Sequence, residues 1–193
     1  MYLLKDKNFT RFLIKFLLTF AICYYGTLAF IGLAAPGGYY SPFVEHYFNY
    51  VSWIRSSLLY GTKVLLSLFG VQTYYASEFN IRMVNGRGIM IVYECVGYGV
   101  MSFWIAFIVA SDGSFKKKIV WVISGLLIFW LLNICRLGLL LVATNKGWPI
   151  PLGWDHHTWF NIVAYIAILI MMYFFQRTMR PGEERNREGK DDY

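Results

Sequence analysis

Charge is what this sequence has least of. Asp, Glu, Lys and Arg make up 15% of its 193 residues, against about 25% in an ordinary soluble domain. Hydrophobic residues reach 58%, aromatics 20%, and the mean hydropathy is +0.47. This balance excludes a disordered chain and a water-soluble globule. Acidic residues are the scarcer sign, 11 against 18 Lys and Arg. In a polar protein that excess would point to nucleic acid. In an apolar one it follows from the preference of cytoplasmic loops for cations, so no nucleic acid is expected. Cysteine is confined to Cys23, Cys95 and Cys135, too few and too scattered for a disulfide framework. No internal repeat and no Gly-rich phosphate loop is present. Cys95, Asp155, His156 and His157 are zinc-donor types without the close Cys/His spacing of a zinc site, so neither metal nor cofactor is expected.

What the chain has instead is long apolar runs. Within a span expected at about 12–35, the charge-free run from Phe16 to Ala35 is long enough to cross about 30 Å of hydrocarbon as a helix, and it follows Lys5, Lys7, Arg11 and Lys15. A signal peptide would have an apolar core of only about 7 to 15 residues, so an uncleaved span is the preferred reading. Further spans are expected at 96–110, 119–143 and 158–175. Lys116, Lys117 and Lys118 separate two of them, and Arg177, Arg180, Arg185, Arg187 and Lys190 follow the last. The positive-inside rule makes those regions, and hence the C-terminus, cytoplasmic.

The stretch 51–71 is also apolar, but a full crossing there would force the cationic N-terminus outside. Ser52, Arg55, Ser56, Thr62, Lys63 and Ser67 recur at helical spacing and leave Trp53, Ile54, Leu58, Leu65, Leu68 and Phe69 for the other side. This predicts an amphipathic helix lying in the outer interface. The expected fold is thus an all-α, multi-pass bundle of the cytoplasmic membrane, with four full spans plus this outer helix. Five spans with an outside N-terminus is the alternative. β-rich runs on either side of Asn85-Gly86-Arg87-Gly88 predict a small outer β-hairpin over 79–93 whose second strand feeds into Glu94-Cys95. Residues 1–179 read as one transmembrane domain, and 180–193 as a disordered cytoplasmic tail.

Most of the 18 cations lie in the three cytoplasmic regions, and Arg55, Lys63, Arg82, Arg87 and Lys146 fall on predicted outer surfaces. Arg136 is left as the one cation inside a span, where ionisable residues are functional candidates by default. At 1.5 Å per residue it stands about 26 Å above Ile119, Cys95 about 23 Å above Ala110, and His156 and His157 about 27 to 29 Å above Phe175. Three helices thus bring a thiol, a guanidinium and an imidazole to one depth near the outer face.

That set suits nucleophilic acyl transfer. Cys95, at the N-terminal end of its helix, is the candidate nucleophile. Arg136 can hold the thiolate or donate two hydrogen bonds to the oxyanion of a tetrahedral intermediate. A histidine can take and return the proton. Asn133, one turn from Arg136 on the same face, can orient it or bind the peptide carbonyl, and Glu94 is a solvated or hydrogen-bonded neighbour of Cys95. Each residue also has a plainer reading: Cys95 as packing, Arg136 snorkelling to the interface, and the histidines with Trp148, Trp154 and Trp159 as an interfacial belt.

At these residues the sequence resembles the exosortase/archaeosortase family of membrane transpeptidases. Cys95-Val96-Gly97-Tyr98-Gly99-Val100-Met101 is similar to the family's Cys-x-Gly segment at the head of a span. Asn133-Ile134-Cys135-Arg136 is similar to its Asn-x-x-Arg, and the pair before Thr158-Trp159-Phe160-Asn161 to its histidine at the head of the next span. The likeness covers about Gly88 to Phe175. Val96 stands where many relatives have Ser. Relatives often carry Phe or Gly four residues after this histidine, and archaeal members Arg, so the resemblance implies His156, four residues before Phe160, as the third member, with His157 in reserve. The family usually has more spans.

The resemblance implies a Cys95-Arg136-His156 site on the extracytoplasmic side, supported by Gly97. It implies a secreted protein substrate ending in a short motif, a transmembrane helix and a basic cluster. Its cleavage would pass through a thioester, resolved by an amine or another acceptor. The competing readings are a non-catalytic membrane scaffold or transporter accessory protein, and an enzyme acting on lipid-linked substrates, with Arg136 gripping phosphate.

Overall fold

The computed structural model describes residues 6–35, 39–148 and 156–179, with only the backbone of His156, His157 and Phe160. The expected tail at 180–193, and Asp155, lie outside the described residues.

Helix α1 (Lys7–Ala34) starts at Asp6, whose carboxylate caps the Asn8 amide at 2.9 Å. Phe12, Phe16, Phe20 and Tyr24 recur every four residues and so share one face. That face packs on α4 (Tyr98–Ala110) in antiparallel order, Phe12 against Phe107, Phe16 against Phe103 and Tyr24 against Tyr98. The other faces of α1 leave Ile14, Leu18 and Ile22 exposed, the last by 72%. A long helix bare of burial on most of its girth needs an apolar solvent. Three helical stretches are long and apolar enough to cross a membrane, Lys7–Ala34, Phe115–Lys146 and Asn161–Met179, and the chain is a multi-pass membrane protein. The expected full span at 96–110 is shorter: α4 has 13 residues, about 20 Å.

Helix α5 (Phe115–Lys146) is the longest element at 32 residues, about 48 Å by its rise and well beyond the hydrocarbon thickness. At its start, Lys118 Nζ donates to Val109 O at 3.2 Å and Lys117 Nζ to Thr178 O at 3.4 Å. The C-terminal ends of α4 and of α6 (His156–Met179) therefore meet the N-terminal end of α5. The pairing of Phe12 with Phe107 brings the cationic start of α1 to that same end. Where α4 crosses α5, Gly125 makes room for Trp104: a Cβ there would lie 2.0 Å from the indole nitrogen, which donates to Trp121 O at 3.1 Å.

After a short helix α2 (Pro42–Phe48), α3 (Tyr50–Leu68) runs parallel to the second half of α5. Trp130 donates to Ser57 at 3.0 Å, Gly61 faces Ile134, and Leu65 and Leu66 face Gly138, each step one turn further along both helices. This corrects the expected faces of the helix at 51–71. Arg55 and Thr62 are buried against the protein, whereas Trp53, Leu68 and Phe69 are exposed. Thr62 satisfies its hydroxyl locally by donating to Leu58 O at 2.7 Å, which lets a polar residue sit inside.

The expected hairpin is a three-stranded antiparallel sheet, β1 (Thr73–Ser77), β2 (Asn80–Met83) and β3 (Gly88–Met90), in that order. Asn85 adopts φ 60° at the β2–β3 turn. The Asn145 side chain, near the end of α5, accepts from Arg87 N at 2.6 Å and donates to Arg87 O at 3.1 Å, pinning the turn to that helix. The last strand stops at Met90 and does not run directly into Cys95. A 3-10 turn over Tyr93–Val96 intervenes.

Candidate active site

Two apolar clusters flank the region where the sequence motifs meet. One joins α3, the sheet and α5 through Leu58, Ile81, Ile91, Leu137 and Leu141. The other joins α4, α5 and α6 around Trp104, Phe107, Phe129 and Phe175. Cys95 belongs to the first and is 6% exposed. It sits in the 3-10 turn, closed by Cys95 N donating to Val92 O at 3.0 Å. It is therefore not on the first turn of α4, as expected, but three residues before it. Gly97 caps α4 with φ 78° and ψ 26°, a left-handed conformation that glycine adopts without a Cβ penalty.

Asn133 is the connecting residue. It is 1% exposed, and its amide nitrogen donates to Cys95 O at 2.6 Å and to Val96 O at 3.4 Å. Its side-chain oxygen accepts from Arg136 Nη1 at 3.4 Å. The i, i+3 spacing on α5 puts both side chains on one face, and that face meets the Cys95 turn.

Arg136, half-buried, then reaches a cavity of about 670 Å³ between α1, α4 and α6. Glu94 and Arg136 are its charged lining residues among those described; Gly97, Tyr24, Tyr98 and Asn161 add to the lining, with Phe103 and Leu169 among the apolar walls. Glu94 is exposed. The residues on either side of Cys95–Val96 thus line the cavity, while Cys95 packs into the apolar cluster beside it. Of the expected set, Cys95, Asn133 and Arg136 come together through the hydrogen bonds of Asn133, and Glu94 and Gly97 border the same cavity. His156 and His157 begin α6, and their side chains lie outside the described residues.

One buried cation lies outside the expected set. Arg55, expected on the outer surface, is 6% exposed and donates to Ile91 O through Nε at 3.0 Å and Nη2 at 2.5 Å. The signal was available, since an Arg in an apolar stretch such as 51–71 calls for a partner as much as Arg136 does.

A family model described as transmembrane exosortase matches residues 11–174, so most of α1 through most of α6 falls inside the match. The chain belongs to the transmembrane exosortase family. Membership gives this exosortase a membrane transpeptidase-like role in general terms, in a family of cysteine transpeptidases. No curated protein matches the exosortase chain. No solved structure matches it either.

Proposed function

We propose that this exosortase cleaves the C-terminal sorting signal of secreted proteins by acyl transfer to Cys95. The observation that carries the reading is the link from Cys95 O through the Asn133 amide to Arg136, beside a cavity that Arg136 and Glu94 line. His156, with His157 in reserve, takes the Cys95 thiol proton as the sulfur attacks the scissile carbonyl, Arg136 donates to the developing oxyanion, and the same histidine returns the proton to the amine as the C–N bond breaks. A thioester forms on Cys95, and an amine or another acceptor resolves it. The reading requires the thiol to turn from its apolar cluster toward the cavity when substrate is bound.

The substrate presents a short motif, a transmembrane helix and a basic cluster, so its cut site lies near the membrane face. In the same reading, the end where Lys7, Lys117 and Arg177 gather is cytoplasmic, by the preference of cytoplasmic loops for cations. The site, toward the far end of α5, is extracytoplasmic. The common end of α1 and α6 supports an even number of crossings rather than five.

The test is processing of a C-terminally anchored secretory substrate by Cys95→Ala. Loss of the cleaved product with normal membrane insertion is expected. Processing at the wild-type rate rejects the thiol mechanism.

A further inference from the structure

Arg55 is a buried cation that the acyl-transfer steps do not use. Among the described residues no carboxylate stands within ion-pair distance of it. Its guanidinium is taken up by one carbonyl, Ile91 O, and by two rings, Phe79 at 3.6 Å and Tyr93 at 4.4 Å from the ring centres. Burying a guanidinium is costly unless its donors and charge are met. Here two of its five N–H donors and its charge are met by groups of the segment that leads into Cys95.

The hydrogen bonds around that segment form a continuous path. Ile91 N donates to Phe79 O at 2.8 Å, so Ile91 is held at its amide by the sheet side and at its carbonyl by Arg55. Val92 O then accepts from Cys95 N to close the 3-10 turn, and Cys95 O accepts from Asn133. The Cys95 turn is therefore fixed on its N-terminal side by α3 through Arg55 and on its C-terminal side by α5 through Asn133. The two helices are themselves locked together at Ser57–Trp130 and at Gly61–Ile134. The planar fork of Arg55 makes two bonds to one oxygen and stacks at the same time, which an ammonium does not do.

We propose that Arg55 is a positioning residue for the nucleophile: it holds the Ile91–Tyr93 segment so that the Cys95 turn keeps its place relative to Arg136 and the cavity. The proposal rests on the Cys95 reading for its catalytic consequence, but the clamp itself is measurable without substrate. A misplacement of about 1 Å at a reacting group costs roughly 100-fold in rate.

The experiment uses the full chain with Cys23 and Cys135 replaced by Ala, in lipid vesicles, comparing Arg55 with Arg55→Lys and Arg55→Gln. Three quantities are read: the melting transition, the rate of Cys95 alkylation by a small maleimide, and kcat and KM for an anchored substrate. The clamp predicts that Arg55→Lys stays folded, that Cys95 is alkylated about tenfold faster or more as the turn loosens, and that kcat falls by about 100-fold with KM little changed. Arg55→Gln is expected to show the same pattern, more strongly.

A folded Arg55→Lys with wild-type alkylation and wild-type kcat overturns the proposal. So does loss of a cooperative melt in both variants, which makes Arg55 a folding residue. If Cys95→Ala remains active, the nucleophile reading falls on its own, and the alkylation rate still decides whether Arg55 holds the turn.

Discussion

The side-chain amide of Asn133 donates to the main-chain carbonyl of Cys95 at 2.6 Å, joining two motifs 38 residues apart in the sequence. The same side chain accepts from Arg136, so one buried amide sets the nucleophile's backbone and the guanidinium in relation to each other. Removing it leaves a buried carbonyl without its partner, at about 1–3 kcal/mol. Asn133→Ala is expected to lose about that much stability in a denaturation series, together with most of its processing activity. Asn133→Asp, which when ionised has acceptors but no donor, is expected to do worse. An Asn133→Ala protein as stable and active as the wild type would show that the link is incidental.

Arg136 is proposed to serve through its planar fork as well as its charge. Arg136→Lys keeps the charge and loses the bidentate geometry. A fall in kcat of about 100-fold is expected, the usual effect of removing an oxyanion donor, with KM changed much less. Steady-state kinetics in vesicles check this. Equal kcat for the two side chains argues that the charge alone suffices.

Gly97 separates the Cys95 turn from α4 at φ 78°, and a Cβ there would meet nothing within 4 Å. The cost of substitution is therefore conformational, about 1–2 kcal/mol for an ordinary residue in the left-handed region. Gly97→Ala is expected to lower stability by that amount, and Gly97→Asn by less, because Asn visits this region more readily. Melting curves of the two variants give the order, and equal losses would mean that the cavity wall, not the backbone, sets the requirement.

Gly125 and Gly61 are both close-contact glycines, but their neighbours differ. A Cβ at Gly125 would run into the fully buried, ring-rigid Trp104, whereas one at Gly61 would meet the end of the Ile134 side chain at 2.3 Å. Ile134 can change rotamer and the indole cannot. Gly125→Ala is expected to destabilise by about 1–3 kcal/mol through overpacking, and Gly61→Ala by distinctly less. Thermal melts of the two single variants test the order.

The helices were legible because lipid-facing segments are apolar on nearly every side, so α1, α5 and α6 stand out as unbroken runs. The Asn133–Arg136 pair was legible from its spacing on one helix face. The strand Thr73–Ser77 was not, since its exposed, mixed side chains carry no alternation and its register depends on Arg82 and Met83 across the turn. Arg55 was misread for a related reason. Polar residues at helical spacing look like a solvent face, and the partners that reverse the reading, Phe79, Ile91 and Tyr93, lie 24 to 38 residues further along. The 3-10 turn at Tyr93–Val96 was hidden because a Glu-Cys-Val sequence gives no cue that the helix waits for Gly97.

The most direct measurement is covalent. The wild-type protein in lipid vesicles, mixed with an anchored secretory substrate and quenched in acid within the first turnover, is digested and mapped by mass spectrometry. The expected result is a substrate fragment bound as a thioester to the peptide containing Cys95, released by hydroxylamine and absent from Cys95→Ala, which yields no cleaved product. Substrate cleaved by Cys95→Ala at the wild-type rate, with the Cys95 peptide of the wild type unmodified throughout, contradicts it.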